Sequence, residues 1–244
     1  MCYKQKNIYK GKFYICLTKD SPSMKIVSQI VPFLLSTVQK YRIDDSHAIG
    51  HAFEVLRHSH LNWKQSSLIY PELLGQRDVI YTSALVHDMC DNKYVDEKRG
   101  LTTIQNYLYQ YTHLTNPEIN AVSSIISTMS YSKVKKTGFP DLGEYQLAYH
   151  IVRESDLLAA YDVDRSIIYN LYKIDPKIET CINNANHLFK TRVWKHLDDS
   201  LFTTAYSLEV ARKLVDESYQ QMDTWREIYP SAISTITSGY DLSK

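Results

Sequence analysis

The chain has 244 residues, of which 44% are hydrophobic and 23% charged, and its formal net charge is +1. This length can bury a full core, either as one large domain or as two small ones. A charge so close to neutral argues against bulk electrostatic binding to nucleic acid or to a membrane surface. No apolar run approaches the roughly 20 residues that span a bilayer.

The four cysteines are scattered without a CxxC pair, which indicates neither a zinc knuckle nor a disulfide framework. The N-terminus lacks the continuous apolar segment of a secretory signal. We therefore expect a cytoplasmic protein that binds neither membranes nor nucleic acid.

The first 23 residues differ from the rest of the chain. A short apolar run at 13–17 lies among lysines and a single glycine, and a Ser-Pro-Ser sequence follows at 21–23. A short strand is one interpretation and disorder is another. We treat residues 1–23 as an N-terminal extension, 24–230 as the folded domain and 231–244 as a C-terminal tail.

From residue 24 onward the apolar spacing is helical. Apolar residues repeat at intervals of three and four between Ile26 and Val38, which predicts an amphipathic helix. Further helices are predicted over 46–62, 78–90, 96–112, 117–129, 144–160, 176–197 and 201–228, with loops at 63–75 and 130–143.

No strong strand alternation appears in this region, so the predicted fold class is all-α. We expect a single domain whose C-terminal helical pair packs on the core. Asp44, Asp45 or Ser46 is expected to cap the second helix.

Histidine and aspartate recur at three places in this helical region. His47 and His51 are four residues apart and share one helix face. His87 and Asp88 are adjacent at the end of an apolar helix, and Asp156 follows in a later one. Two imidazoles and two carboxylates suit one divalent ion, with Mn²⁺ as the leading candidate and Fe, Co, Ni, Zn or Mg as alternatives.

Such an ion lowers the pKa of bound water and polarises a phosphoryl oxygen. Asp91 is placed to orient or deprotonate that water. Lys93 and a lysine group at Lys133, Lys135 and Lys136 are candidates to hold phosphates as point charges. The sequence therefore predicts chemistry on a small phosphate compound.

Four segments, in order, resemble motifs of the HD-domain metal-dependent phosphohydrolases. SHAIGHAFEV at 46–55 is similar to SHDxxHxxRV, and HDMCDNK at 87–93 is similar to the HDxxDxK form of one branch. IISTMSYS at 125–132 and ESDLLAA at 154–160 resemble the I…SFS and DADxLxA segments of that branch. The resemblance covers roughly residues 24–228.

The resemblance implies an HD-domain helical bundle and a hydrolase. The branch includes bacterial enzymes that cleave nucleoside triphosphates to monophosphate and pyrophosphate, and the wider family includes nucleotidases, cyclic-nucleotide phosphodiesterases and alarmone hydrolases. The implied metal ligands are His51, His87, Asp88 and Asp156.

The remaining implied roles lie around those ligands. Asp91 helps the attacking water, and Lys93 and His47 face the substrate or support the ligands. Glu154 and Lys133 are further candidates to support the ligands or bind substrate.

The chain also departs from the family pattern. Ala48 stands where Asp is usual, Glu54 where Arg is usual, and residues 162–165 lack the expected glycines. None of these departures removes a metal ligand, so they bear on the substrate class. His113 and His150 are the only candidates for a second metal between the motifs, and their spacing favours a single ion.

The leading hypothesis is a metal-dependent phosphohydrolase that acts on a nucleotide or similar phosphate ester. Cleavage of a nucleoside triphosphate to monophosphate and pyrophosphate is one candidate reaction. The alternative is a non-catalytic, metal-containing helical module that senses a nucleotide or binds a protein.

Overall fold

The computed structural model describes residues 22–44 and 47–233, and all regular secondary structure in these ranges is helical. The predicted all-α fold class is therefore confirmed. In chain order the helices are α1 Pro22–Tyr41, α2 Ile49–Ser66, α3 Arg77–Val86, α4 Glu97–Tyr111, α5 Asn116–Thr128, α6 Tyr131–Thr137, α7 Gln146–Ala159, α8 Val163–Lys173, α9 Ile178–Thr191, α10 Ala205–Ile228 and α11 Pro230–Ile233. Short 3₁₀ helices lie between them at Pro71–Gln76, His87–Cys90, Gly143–Tyr145 and Val193–Lys195.

Helix α3 lies at the centre of the larger hydrophobic core. Every residue from Val79 to Val86 is buried, and the helix packs against α1, α2, α5 and α7. Polar Thr82 and Ser83 are buried together with the apolar residues, so the neighbouring helices enclose this part of α3 on every side. The residues at its C-terminal end are consequently held in place by the surrounding helices.

A second, smaller core lies among α8, α9, α10 and the end of α7. Ile167, Phe189 and Met222, one from each of α8, α9 and α10, are buried in it. Helix α10 also packs against α2 and α7, which joins the two cores. The predicted C-terminal pair corresponds to α9 and α10, both shorter than predicted, and α8 is an additional helix that the sequence analysis did not assign.

Three element boundaries correct the sequence predictions. The helix predicted over 78–90 is α-helical only to Val86 and continues as a 3₁₀ turn. Helix α2 runs to Ser66, four residues into the predicted loop at 63–75. The predicted loop at 130–143 contains α6, which buries Val134 and ends at Gly138 with a φ of 75°. The lysines around Val134 mask the helical spacing of so short an element.

The start of α2 and the two ends of the chain also differ from expectation. The N-cap of α2 is Ala48, without a side-chain cap, whereas Asp44 accepts a hydrogen bond of 2.5 Å from the Tyr94 hydroxyl. Asp45 and Ser46 lie outside the described residues. Helix α1 begins two residues inside the predicted extension, and α11 reaches into the predicted tail. The predictions for 1–21 and 234–244 lie outside the described residues.

Within the described ranges, no helix is both long enough and apolar enough to cross a membrane.

Candidate metal centre

Three helices bring the predicted metal ligands together. His51 lies on α2, His87 and Asp88 lie in the 3₁₀ turn after α3, and Asp156 lies in the last turns of α7. Helices α2, α3 and α7 pack against one another. Residues more than 100 positions apart in sequence therefore meet at one point, which we call the His/Asp cluster.

The imidazole nitrogens and carboxylate oxygens of the His/Asp cluster face each other at short range. The Nε2 atoms of His51 and His87 are 3.1 Å apart. Asp156 Oδ1 lies 3.3 Å from His51 Nε2 and 3.6 Å from His87 Nε2. Ligand atoms of these three residues all lie within 4.8 Å of one another, a spacing at which they can share one metal ion.

Asp88 completes the cluster from the side. Its Oδ2 lies 3.4 Å from Nε2 of each histidine, yet this buried oxygen accepts no hydrogen bond in the part of the chain that the structure describes. A buried carboxylate oxygen without a donor is costly. A cation among the four side chains would satisfy it, so these residues fit a divalent ion.

The ring of His87 is oriented for metal binding. Its Nδ1 donates a hydrogen bond of 2.9 Å to the carbonyl oxygen of Ala84. That bond fixes the proton on Nδ1 and turns Nε2, the potential ligand atom, toward the cluster. The last turn of α3 thus supplies the orienting acceptor.

The charges of the cluster favour a bound cation. Burial would raise the pKa of Asp156, but the hydrogen bonds and charges of His51 and His87 hold it well below its usual value. Burial alone would lower the pKa of His87, yet Asp88 and Asp156 raise it well above 6.5. The two carboxylates therefore stay ionised and attract positive charge, which a metal ion or a proton on His87 provides.

The 3₁₀ turn that carries His87 and Asp88 is held by close packing. Met89 and Cys90 are buried, and α4 approaches the turn at Gly100. A Cβ added at Gly100 would lie 2.8 Å from both Cα and Cβ of Cys90. Only glycine permits this approach, so α4 helps to set the position of the ligands.

Asp91, Lys93 and His47 form a connected group beside the cluster, with the His47 ring centroid 6.2 Å from that of His51. Asp91 Oδ1 accepts a hydrogen bond of 2.8 Å from the Lys93 backbone nitrogen, and the Lys93 Nζ lies 3.6 Å from Asp91 Oδ2. Lys93 Nζ also lies 3.2 Å from His47 Nε2 and 5.2 Å from the centre of the Tyr169 ring. The structure therefore brings these three predicted residues together beside the ligands.

Lys133 is engaged with neighbouring helices. Its Nζ pairs with the Glu97 carboxylate and donates a hydrogen bond of 2.7 Å to the Ser127 carbonyl oxygen. The positive charge of Lys133, which the sequence analysis considered for binding phosphate, is therefore already balanced by Glu97.

Glu154 corrects the sequence analysis, which placed it beside the substrate or the metal. Its two oxygens accept hydrogen bonds from the backbone nitrogens and hydroxyls of Thr203 and Thr204, at 2.6–3.1 Å. It also accepts a bond of 3.1 Å from the buried Arg153 guanidinium. Because successive residues on a helix project about 100° apart, Glu154 faces away from Asp156 and holds the start of α10.

The two histidines considered for a second metal contact other side chains. His113 Nε2 is 2.8 Å from Asp78 Oδ2. His150 lies 3.0 Å from the Gln146 amide and 3.3 Å from the Arg153 guanidinium.

Comparisons with known proteins add the fold and nothing about activity. No protein-family model matches the sequence, and no curated protein matches it. A crystal structure of a Lactobacillus plantarum protein, solved as a Northeast Structural Genomics target, has a similar fold. Its TM-score is 0.60 at 18% sequence identity, over 83% of this chain and 97% of that chain. At this identity the likeness shows the fold alone.

Two partly buried arginines were not singled out from the sequence. Arg165, in the first turn of α8, contacts His51 Nδ1. Arg192 follows α9, and its guanidinium lies 4.1 Å from the centre of the Tyr131 ring. A helix signal was present for α8, because Asp162 caps it and Val163 and Ile167 are spaced by four. Nothing in the local sequence indicates that tertiary packing brings Arg165 to His51.

Proposed function

We propose that this protein is a metal-dependent phosphohydrolase acting on a nucleotide or a similar small phosphate ester. The observation that carries the proposal is the convergence of His51, His87 and Asp156 with the buried Asp88 Oδ2, which accepts no hydrogen bond from the described residues. Two imidazoles and two carboxylates suit one divalent ion, with Mn²⁺ as the first candidate. The motif order shared with HD-domain phosphohydrolases supports the reaction class.

When bound, such an ion lowers the pKa of a water ligand and polarises a phosphoryl oxygen. Asp91 is the candidate to orient that water and accept its proton. Its Oδ1 accepts a hydrogen bond from the Lys93 backbone nitrogen, while among the described residues Oδ2 has only the more distant ammonium of Lys93. The second oxygen therefore retains capacity to accept a hydrogen bond from water.

Lys93 is the candidate to contact the phosphate. Its ammonium group carries three donors, and the contacts with His47 and Asp91 use at most two of them. Its side chain is 46% exposed, so a substrate can reach it. Lys133, paired with Glu97, is assigned instead to holding α4 and α6 beside the turn.

Product analysis with added Mn²⁺ tests the proposal. The protein is incubated with ribo- and deoxynucleoside tri-, di- and monophosphates, beside Asp88→Asn and a matched Asp223→Asn control. Asp223 is 61% exposed and, within the part of the chain that the structure describes, pairs only with Arg226. We expect metal-dependent product in the wild type and in Asp223→Asn, and none in Asp88→Asn.

The products distinguish the candidate reactions. Monophosphate with pyrophosphate would establish triphosphate cleavage between the α and β phosphates, and nucleoside with phosphate would establish a nucleotidase. Thermal stabilisation by a nucleotide without any Asp88-dependent product would refute hydrolysis and favour the non-catalytic sensing module.

A further inference from the structure

Four large apolar side chains are exposed on the connection between α2 and α3. They belong to Leu68, Ile69, Tyr70 and Leu74, and the three aliphatic ones are 60–84% exposed. Single exposed apolar residues are ordinary on a protein surface, but several close together mark a surface that another chain segment covers. We call these four residues the apolar patch.

An acidic cleft of about 630 Å³ adjoins the apolar patch at Tyr70, which lines it. Glu72 and Gln76 line one side of this cleft and Glu144 lines the other. Gln76 Nε2 donates a hydrogen bond of 2.9 Å to the Glu144 carbonyl oxygen, which joins the two sides. No lysine or arginine of the described chain lines the cleft, and neither glutamate forms an ion pair with the described residues. The cleft therefore favours a positively charged occupant.

The acidic cleft lies at the opposite end of α3 from the His/Asp cluster. Gln76 precedes the first residue of α3, and His87 follows the last. The 10 residues of this helix extend about 15 Å. The candidate metal centre therefore does not account for the cleft or for the apolar patch.

The described chain enters the fold near the start of α3. Gln29 Oε1, on α1, lies 3.1 Å from His113 Nδ1, and His113 Nε2 lies 2.8 Å from Asp78 Oδ2 in the first turn of α3. Helix α1 begins at Pro22, about 10 Å along its axis from Gln29. Residues 1–21 are thus attached to the same region of the molecule as the cleft.

The composition of residues 1–21 is complementary to this surface. They contain five lysines, a single acidic residue at Asp20 and an apolar run at 13–17. Lysines match the two glutamates of the cleft, and the apolar run matches the apolar patch. Twenty-one extended residues span up to roughly 70 Å, which is several times the length of α3, so the segment can reach both.

We propose that residues 1–21 dock on the apolar patch and the adjoining acidic cleft of the same chain. Lysines of the segment pair with Glu72 and Glu144, and its apolar side chains cover Leu68, Ile69 and Leu74. The inference depends neither on a metal ion nor on hydrolysis, so it stands or falls independently of the proposed function.

Carbodiimide crosslinking of the full chain tests the docking directly. This reagent joins a lysine amine to a carboxylate with no spacer, so it records only groups in contact. An equal mixture of unlabelled and ¹⁵N-labelled protein is crosslinked, and mass spectrometry of the peptides separates links within one chain from links between chains. We expect links within one chain from lysines of 1–21 to Glu72 or Glu144, well above those to Asp216 and Glu217, which are exposed on α10.

Chymotrypsin cleavage within residues 1–21 gives an independent measurement. A Glu72→Lys, Glu144→Lys double variant should be cleaved about fivefold faster or more, because two attractive pairs become repulsive. Asp216→Lys with Glu217→Lys makes the same change of charge elsewhere and should leave the rate unchanged. Thermal unfolding verifies that both variants are folded.

A charge exchange completes the test. Lys10→Glu with Lys12→Glu should also speed cleavage, and combining these two changes with Glu72→Lys and Glu144→Lys should restore a slow rate. Links only between chains would overturn the proposal and assign the surface to a second copy of the protein. Links spread evenly over exposed carboxylates, or a cleavage rate that ignores the charges at Glu72 and Glu144, would also overturn it.

Discussion

Glu154 and Asp156 are acidic residues two positions apart on α7 whose surroundings differ in kind. Glu154 is fully buried, and five donors from Arg153, Thr203 and Thr204 satisfy its oxygens. Asp156 is 28% exposed, and within the described residues its ion pairs are with the imidazoles of His51 and His87. The more deeply buried carboxylate is the one that supports the fold.

The difference teaches that burial alone does not identify a functional carboxylate. A carboxylate whose acceptor sites are filled by protein donors has no capacity left for a ligand, however deeply it is buried. The Asp156 side of α7 has the reverse character, since Asp88 Oδ2 accepts no hydrogen bond from the described residues and His87 can present the lone pair of Nε2.

Glu154→Gln should give the largest loss of stability. The substitution leaves the Arg153 guanidinium, 1% exposed, without its countercharge. We expect the free energy of unfolding to fall by about 3–5 kcal/mol, measured by urea denaturation, with Mn²⁺ affinity of the folded protein unchanged. Glu144→Gln, on the surface, is the control. A stable variant with impaired Mn²⁺ binding would reverse the assignment of the two carboxylates.

Asp156→Asn should have the complementary effect. It removes one charged ligand and leaves the α10 contacts of Glu154 intact. We expect Mn²⁺ affinity, measured by calorimetry, to fall on the order of 100-fold or more, with metal-free stability changed far less than in Glu154→Gln. Mn²⁺ affinity within about threefold of wild type would show that the His/Asp cluster does not bind the ion.

Gly100→Ala tests whether packing behind the turn matters to the ligands. The added methyl group would meet the Cys90 backbone at 2.8 Å. We expect a loss of about 1–3 kcal/mol in the free energy of unfolding and a weaker Mn²⁺ affinity. Gly50→Ala, also within a helix and with nothing within 4 Å of the new Cβ, should be neutral or stabilising. Equal behaviour of the two variants would contradict a role for α4.

Replacement of His196 should give the smallest effect, which appears in how the free energy of unfolding depends on pH. Its ring is fully buried, both nitrogens lack hydrogen bonds in the described chain, and burial followed by the Arg192 charge lowers its pKa to about 3. The unfolded chain takes up a proton below about pH 6.5 and the folded chain does not, so stability falls as the pH drops.

His196→Met removes this contribution. The unfolding free energy of the metal-free wild type should fall by about 1–2 kcal/mol more than that of the variant between about pH 6.5 and pH 5. Urea denaturation at both pH values measures the difference. Parallel pH curves would show that His196 is protonated in the folded protein.

The sequence predicted those parts of the structure that leave a local spacing pattern or an ordered series of motifs in the chain. Helical spacing indicated the fold class, and the order of short motifs selected His51, His87, Asp88 and Asp156 before their proximity was visible. The orientation of Glu154 was not predictable in that way, because it depends on the start of α10, some 50 residues later. Arg165 was missed for the same reason, since the packing of α8 decides where it lies.

The three helices that supply the His/Asp cluster are far apart in the sequence, so the cluster exists only when the chain is folded. A cation that occupies it binds the native state and not the unfolded chain, and at 100 times its dissociation constant it adds about 2.7 kcal/mol to stability. The midpoint of thermal unfolding then reports the concentration of free ion around the protein. A chelator lowers that midpoint without breaking a covalent bond.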